Sequence, residues 1–214
     1  MLLVGLTGNI GSGKSAVARM LVDRGATLVD ADVLAREAVR VGTPAYAAIV
    51  RRWGDGVLEP DGVLSRPALR ERVFSDPIEL EALNAIVHPE VGRLRDVRVA
   101  EARERGARMV VCDIPLLFER NLADEFDVVI LVDAPRPVRL ERLVRDRALR
   151  PTEAMEMIAA QMPAELKRAR ADFVIDNVGT LVQLERKVDA VWREVGQLAE
   201  AKAAQDAENG AGVS

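Results

Sequence analysis

Gly8-Asn9-Ile10-Gly11-Ser12-Gly13-Lys14-Ser15 decides the class of this chain. The octapeptide fits G-x-x-x-x-G-K-[ST], a pattern that ordinary residue frequencies produce in about one chain in a hundred of this length. Its flanks make the match stronger. An apolar run, Leu2 to Leu6, leads in, and an amphipathic stretch with Val17, Leu21 and Val22 leads out. That is the strand, loop and helix order that a phosphate-cradling loop requires. Gly8, Gly11 and Gly13 let backbone N–H groups approach an anion without side-chain obstruction. Ser12 lies within the cradle, and the first turn of the helix, Lys14, Ser15 and Ala16, adds N–H donors at the positive end of its dipole. Lys14 can reach the β- and γ-phosphates of a nucleoside triphosphate, and Ser15 can ligate Mg²⁺. The bland alternative is a Gly-rich turn with no ligand. A Lys at the motif position in a chain with 26 Arg and four Lys speaks against it.

Outward from the loop, five short apolar runs read as strands: 2–6, 26–29, 108–113, 127–132 and 172–176. Amphipathic helical stretches separate them, which predicts an α/β protein with a mostly parallel sheet covered on both faces. The expected architecture is a P-loop NTPase fold with a five-stranded parallel sheet, helices on both faces and a long helical insertion. The nucleotide-binding core takes 1–32, 107–135 and 171–196. Residues 33–106 contain no convincing strand and read as inserted helices. Their starts are marked by Thr43-Pro44, by Asp76-Pro77 with Glu79 placed to reach back, and by a loop over 54–67. Residues 136–170 are Arg-rich and read as two helices broken at Arg150-Pro151-Thr152. Thr180 with Gln183 opens a last helix whose Leu and Val residues form a core face. From about 197 the composition turns to Ala, Glu, Gln and Gly, and the tail 197–214 is expected to fray.

Composition narrows the functions. With 214 residues, 49% of them hydrophobic, the chain can build a core and is not intrinsically disordered. No apolar run approaches the roughly 20 residues of a membrane span, and the short N-terminal run lacks a basic lead-in, so neither a membrane nor export is expected. The single Cys112 supports no internal disulfide, and the expectation is a cytoplasmic protein. A net charge of −4 gives no reason to expect nucleic acid as a partner. One His and few aromatics argue against a His-based metal site or a base-stacking platform. The expected partners are small molecules, with the chain a monomer or weak homo-oligomer.

Two further sites bear on the chemistry. Val29-Asp30-Ala31-Asp32 closes the second strand, and the carboxyl ends of strands line the ligand crevice of an open parallel sheet. One carboxylate can take a proton from a substrate hydroxyl and the other can hold a metal-bound water. Alternatively, Asp32 simply caps a helix that starts at Val33. Arg139, Arg142 and Arg145 follow at i, i+3 and i+6, as mobile cations closing on a γ-phosphate would, or as a solvated face paired to Glu141 and Asp146. The chain lacks the N-K-x-D segment of guanine-specific switches, and its third strand ends in Asp113-Ile114-Pro115 rather than the Asp-Glu usual in motor ATPases.

These residues, taken in order, resemble the dephospho-coenzyme A kinase family from about residue 2 to 195. The similarity rests on Gly5–Ser15, Asp30-Ala31-Asp32, Leu83–Pro89 with its helix-breaking His88-Pro89, Pro115-Leu116-Leu117-Phe118-Glu119, Arg142-Leu143-Val144-Arg145-Asp146 and Asp172–Gly179. Asn9 stands where Gly is common, Ala16 where Thr is common, and Met157 where many members have Arg. The resemblance implies ATP-dependent phosphorylation of the ribose 3′-hydroxyl of dephospho-CoA, with Mg²⁺. It implies an inserted helical acceptor-binding domain over 33–106, a small helical lid over 136–170, and Asp32, Lys14 and Arg142 as catalytic residues. Arg145 and Asn177 would join the loop in binding ATP. Thr7, Asp30, His88, Pro115 and Leu116 would contact the acceptor. His88 reads equally well as a packed residue at a helix end, and the apolar Pro115–Phe118 segment as a core-packing turn. Other small-metabolite or nucleotide kinases on the same scaffold, and an ATP-binding regulator with little turnover, remain the competing readings.

Overall fold

The computed structural model describes residues 1–74 and 76–211, without the side chains of 74 and 209–211. Five strands form one parallel sheet: β1 (Leu2–Gly8), β2 (Thr27–Asp30), β3 (Met109–Asp113), β4 (Val128–Asp133) and β5 (Phe173–Asp176), in the order β2-β3-β1-β4-β5. The central strands are hydrophobic on both faces, and every residue of β3 and β4 is buried. That is what helices on both sides of a parallel sheet demand. β1 lies between β3 and β4, so the loop after Gly8 opens at the carboxyl end where the strand order reverses.

The helices are α1 (Lys14–Asp23), α2 (Ala31–Ala38), α3 (Pro44–Trp53), α4 (Arg66–Phe74), α5 (Pro77–Glu104), α6 (Arg136–Arg147), α7 (Pro151–Ala159), α8 (Ala164–Arg168) and α9 (Leu181–Ala211). Several begin as their sequence predicts. Thr43 Oγ1 accepts the Tyr46 N–H at 3.1 Å with Pro44 behind it. Thr180 and Gln183 form a reciprocal capping box at 2.9 and 3.3 Å. Asp76 caps α5 by accepting the Ile78 N–H at 2.9 Å. Glu79 does not reach back to it: its carboxylate is taken by Arg52, at 2.9 and 3.0 Å, and by the Trp53 indole at 2.7 Å.

The chain folds into two compact units. The first comprises Met1–Val29 and Ala102–Ser214, and therefore includes the Arg-rich helices α6 to α8. Its core joins Leu2, Val4 and Leu6 of β1 to Val17 and Leu21 of α1, to β3 and β4, and to Leu184, Val188, Val191, Val195 and Ala199 of α9. A smaller apolar cluster of Leu143, Ala154 and Ile158 packs α6 and α7 against Ile10 of the glycine loop. The second unit, Asp30–Glu101, has its own core of Ile49, Val57 and Leu64 with Tyr46, Trp53, Leu83, Ile86 and Val87 around it.

Three expectations are corrected. Residues 197–211 do not fray: α9 continues through them, because Ala199 extends the apolar spacing of Val188, Val191 and Val195 by one more turn and is only 5% exposed. Glu200 pairs with Arg108 at 2.9 Å and Lys202 with Asp127 at 2.5 Å, which docks the extension; 212–214 lie outside the described residues. His88-Pro89 does not break a helix. Pro89 is inside the 28-residue α5, which continues despite the N–H donor that a proline lacks. The Arg-rich segment contains a third, short helix, α8, beyond the two predicted.

Candidate active site

The glycine loop runs from the end of β1 to the start of α1. Gly13, the N-cap of α1, has φ +91°, and a Cβ there would collide with the side-chain amide of Asn177. The loop is close-packed at its entrance as well, where a Cβ on Gly8 would lie 2.5 Å from the Val132 carbonyl oxygen. The motif glycines are therefore required by sterics, apart from any ligand. The Ser12 N–H turns back to the Asn9 carbonyl at 3.0 Å, and the Ser12 side chain is fully buried. Lys14 and Ser15 form the first turn of α1, so their N–H groups have no intrahelical acceptor. The Ser15 residue is exposed and Ala16 half-buried beside it.

Lys14 reaches across to Asp113. Its ammonium is in direct contact with Asp113 Oδ1, and both side chains are largely buried, at 13% and 7% exposure. Asp113 closes β3, in register with Leu6 of β1. From the sequence Asp113 was legible only as a strand end, with no role in the site. A carboxylate closing a run as apolar as Met109–Cys112 was the available signal.

Arg142 is not a mobile cation in this arrangement. Its guanidinium donates to the carbonyls of Gly11 and Ser12, both at 3.2 Å, and to the Asn177 carbonyl at 3.0 Å. Asn177 in turn donates its side-chain amide to the Ser12 carbonyl at 2.7 Å and its N–H to the Asp133 carbonyl at 2.7 Å. Both residues clamp the loop from its carbonyl side. Arg139, one turn earlier on α6, is corrected from a mobile cation to a buried one. It is 5% exposed, its Nε donates to the Ala134 carbonyl at 3.0 Å, and desolvation lowers its pKa. Arg145 is exposed and forks onto Asp146 at 2.7 and 3.1 Å, with Glu141 at 3.4 Å. That is the solvated pairing offered as its alternative.

The remaining candidates divide. Thr7 is fully buried, and its hydroxyl donates to the Pro115 carbonyl at 3.1 Å, which ties the end of β1 to the segment after β3. Within that segment Pro115 is half-buried and Leu116 is 43% exposed, whereas Leu117 and Phe118 are fully buried. The apolar stretch is thus core except at Pro115 and Leu116. In the second unit, Asp30 is the N-cap of α2: its Oδ1 accepts the N–H groups of Asp32 at 2.8 Å and Val33 at 3.2 Å. The helix starts at Ala31, two residues earlier than expected, so capping belongs to Asp30 and not to Asp32. Asp32 is an exposed carboxylate in the first turn. His88 is half-buried on α5.

Rarity singles out Lys14 in the sequence, and the same rarity extends to the other three lysines. Each of them is engaged: Lys167 lies 2.7 Å from Glu119 Oε1, Lys187 donates to the Asp176 carbonyl at 2.6 Å, and Lys202 meets Asp127.

A glycine loop at the switch point of a parallel sheet, a lysine at the start of the helix that follows it and a carboxylate at the next strand end define a P-loop nucleotide-binding fold. The Dephospho-CoA kinase family model matches residues 2–183. A dephospho-CoA kinase of Thermobifida fusca is 50% identical over 195 residues, covering 91% of this chain and 96% of that one. One of Geobacter metallireducens is 47% identical over 194 residues, covering 91% and 96%. The crystal structure of TT1252 from Thermus thermophilus superimposes with a TM-score of 0.77 at 41% identity, covering 90% of this chain and 97% of that one. The dephospho-CoA kinase from Campylobacter jejuni shares the fold, with a TM-score of 0.63 at 20% identity over 90% of this chain and 96% of its own. The chain belongs to the dephospho-CoA kinase family and is a kinase of coenzyme A synthesis. Among the described residues, no helix is long and apolar enough to cross a membrane.

Proposed function

We propose that the chain transfers the γ-phosphoryl group of ATP to the ribose 3′-hydroxyl of dephospho-CoA, giving CoA and ADP. The observation that carries the nucleotide half of this reading is the contact of Lys14, the first residue of α1 after the glycine loop, with Asp113 at the carboxyl end of the adjacent strand β3. Incoming β- and γ-phosphates compete with Asp113 for the Lys14 ammonium, and the N-terminal turn of α1 supplies N–H groups to them. The phosphates gain a fixed point charge.

Magnesium fits the residues present. Ser15 offers an exposed hydroxyl and Asp113 a carboxylate, both hard oxygen donors. Among the described residues no group of three or more His, Cys, Asp or Glu side chains could hold a metal, so phosphate oxygens would complete the coordination. When bound, the ion neutralises charge on the bridging phosphates.

Asp32 is assigned as the base that takes the proton of the attacking hydroxyl. Support comes from the capping geometry: Asp30 does the capping, which leaves the Asp32 carboxylate for chemistry. Arg142 and Asn177 hold the loop in shape. Arg145 is the better candidate for a cation that moves onto the phosphates, since an exposed pair with Asp146 is weak and easily exchanged. His88, Pro115 and Leu116 are assigned to the acceptor, in a cytoplasmic protein acting on small molecules.

A coupled ADP-release assay against dephospho-CoA, AMP, nucleosides and shikimate tests this reading. Release is expected with dephospho-CoA and not with an analogue that lacks the 3′-hydroxyl. Equal release with that analogue, or preference for another acceptor, overturns it.

A further inference from the structure

The entrance half of the phosphate loop is held by a relay that ends in an ion pair between a fully buried lysine and a partly buried glutamate. The Ile10 N–H donates to Gln161 Oε1 at 2.7 Å, and the Asn9 side-chain amide donates to the Met162 carbonyl at 3.1 Å. Both acceptors belong to the turn between α7 and α8. That turn is pinned from its other side, where the Met162 N–H donates to Glu119 Oε1 at 3.1 Å. The same oxygen meets the ammonium of Lys167 at 2.7 Å, and the Lys167 side chain is fully buried.

The pair is poorly explained by stability alone. Burying an ammonium and a carboxylate costs desolvation that an apolar pair of similar size avoids, and the mutual attraction recovers it only when all remaining polar atoms are satisfied. Here Glu119 Oε2 is buried without a hydrogen bond, and the Lys167 ammonium meets Glu119 as an ion pair without a well-directed hydrogen bond of its own. What the pair does secure is the direction of Glu119 Oε1, and through it the Met162 backbone and the height of the turn that carries Gln161. Asn9 is 4% exposed, so its amide is committed to this turn. The opposite half of the loop is clamped separately by Arg142 and Asn177 through the Gly11 and Ser12 carbonyls.

We propose that Glu119, Lys167 and Gln161 are positioning residues for the phosphate loop: the Glu119–Lys167 pair holds the α7–α8 turn, and Gln161 passes that constraint to Ile10. Gln161 fixes the N–H of Ile10, so that the following glycines present theirs to the triphosphate. The inference rests on the glycine loop being the triphosphate site. It predicts a defect confined to the nucleotide.

The test compares Gln161→Met, which keeps side-chain volume and removes the acceptor, with the double variant Glu119→Gln/Lys167→Met, which removes both charges together. The dissociation constant for ATP, KM for ATP and for dephospho-CoA, and the thermal midpoint are measured for each, with Lys14→Ala as control. Both variants should bind ATP at least tenfold more weakly and raise KM for ATP in parallel. KM for dephospho-CoA should stay within about twofold, and the Gln161→Met midpoint should lie close to that of the unaltered chain. If Gln161→Met binds ATP normally, or if both KM values and the midpoint change together, the positioning role is overturned. Should the double variant not fold, Gln161→Met decides alone. Normal ATP binding by Lys14→Ala would overturn the phosphate-site reading itself, and the positioning role with it; Lys14→Ala losing ATP while Gln161→Met keeps it overturns only the latter.

Discussion

The side-chain amide of Asn177 occupies the space that a Cβ on residue 13 would need, and from there it donates to the Ser12 carbonyl at 2.7 Å. The glycine and the asparagine are far apart in the chain and are fitted to each other. Gly13→Ala should therefore fail twice, through a left-handed φ of +91° and through the collision. The backbone term alone is about 1–2 kcal/mol. ATP affinity should fall at least tenfold. Adding Asn177→Ala should recover part of the loss of stability, seen as coupling in a double-mutant cycle of urea midpoints. Strict additivity would mean that the two side chains do not compete for the space.

Asp32→Asn separates chemistry from capping. Asp30 caps α2, so stability should change by less than about 1 kcal/mol. Loss of the base should slow turnover by about 10²–10⁴ with ATP still bound. Asp30→Ala should do the reverse, costing about 1 kcal/mol of cap with a milder effect on rate. Steady-state rates and thermal midpoints on both variants distinguish the roles. A dead Asp30→Asn beside an active Asp32→Asn would move the base to Asp30.

Truncation after residue 197 should destabilise the first unit. It removes buried Ala199 and the pairs Glu200–Arg108 and Lys202–Asp127. The expected cost is roughly 1–2 kcal/mol, or about 2–8 °C in thermal midpoint. Truncation after 207 should leave the midpoint unchanged by calorimetry. Equal midpoints for the two truncations would return 198–207 to an undocked tail.

Arg168 joins the ends of β4 and β5, with Asp133 at 2.9 Å and Asp176 at 2.5 Å. Its hydrogen bond holds the Asp176 carboxyl below the usual carboxylate range, against the opposing effect of burial. A depressed native pKa gives stability that is present above the unfolded value, near 3.9, and is lost as pH falls through the native one. The stability gap between the unaltered chain and Asp176→Asn should thus be constant from about pH 7 to about 5 and narrow below about 4. Urea midpoints across that range measure it, and a gap that widens on acidification would contradict the assignment.

Much of the molecule was legible in the chain. The Gly8–Ser15 pattern, five apolar runs and the Thr43 and Thr180 caps depend on neighbours within a few residues, where periodicity and steric rules act directly. Hence the strand positions, the parallel sheet and the place of the phosphate loop could be read in order. The errors have local causes too. A proline looked like a stop, but α5 continues through Pro89; Ala199 looked like tail composition, but it is one more turn of a buried stripe.

What the sequence could not specify is which side chain meets which across long separations. Lys14 and Asp113, Asn9 and Met162, Glu119 and Lys167, and Gly13 and Asn177 are brought together only when parallel strands and their crossover helices close. No periodicity encodes those distances. The sequence by itself determined that a phosphate loop exists and that it joins the first strand to a helix, because backbone geometry follows from local residue type. The tertiary structure decided that Arg139 is buried, that Arg142 clamps the loop carbonyls and that Asp113 takes the lysine, because a charged side chain settles wherever folding leaves it a partner and little water.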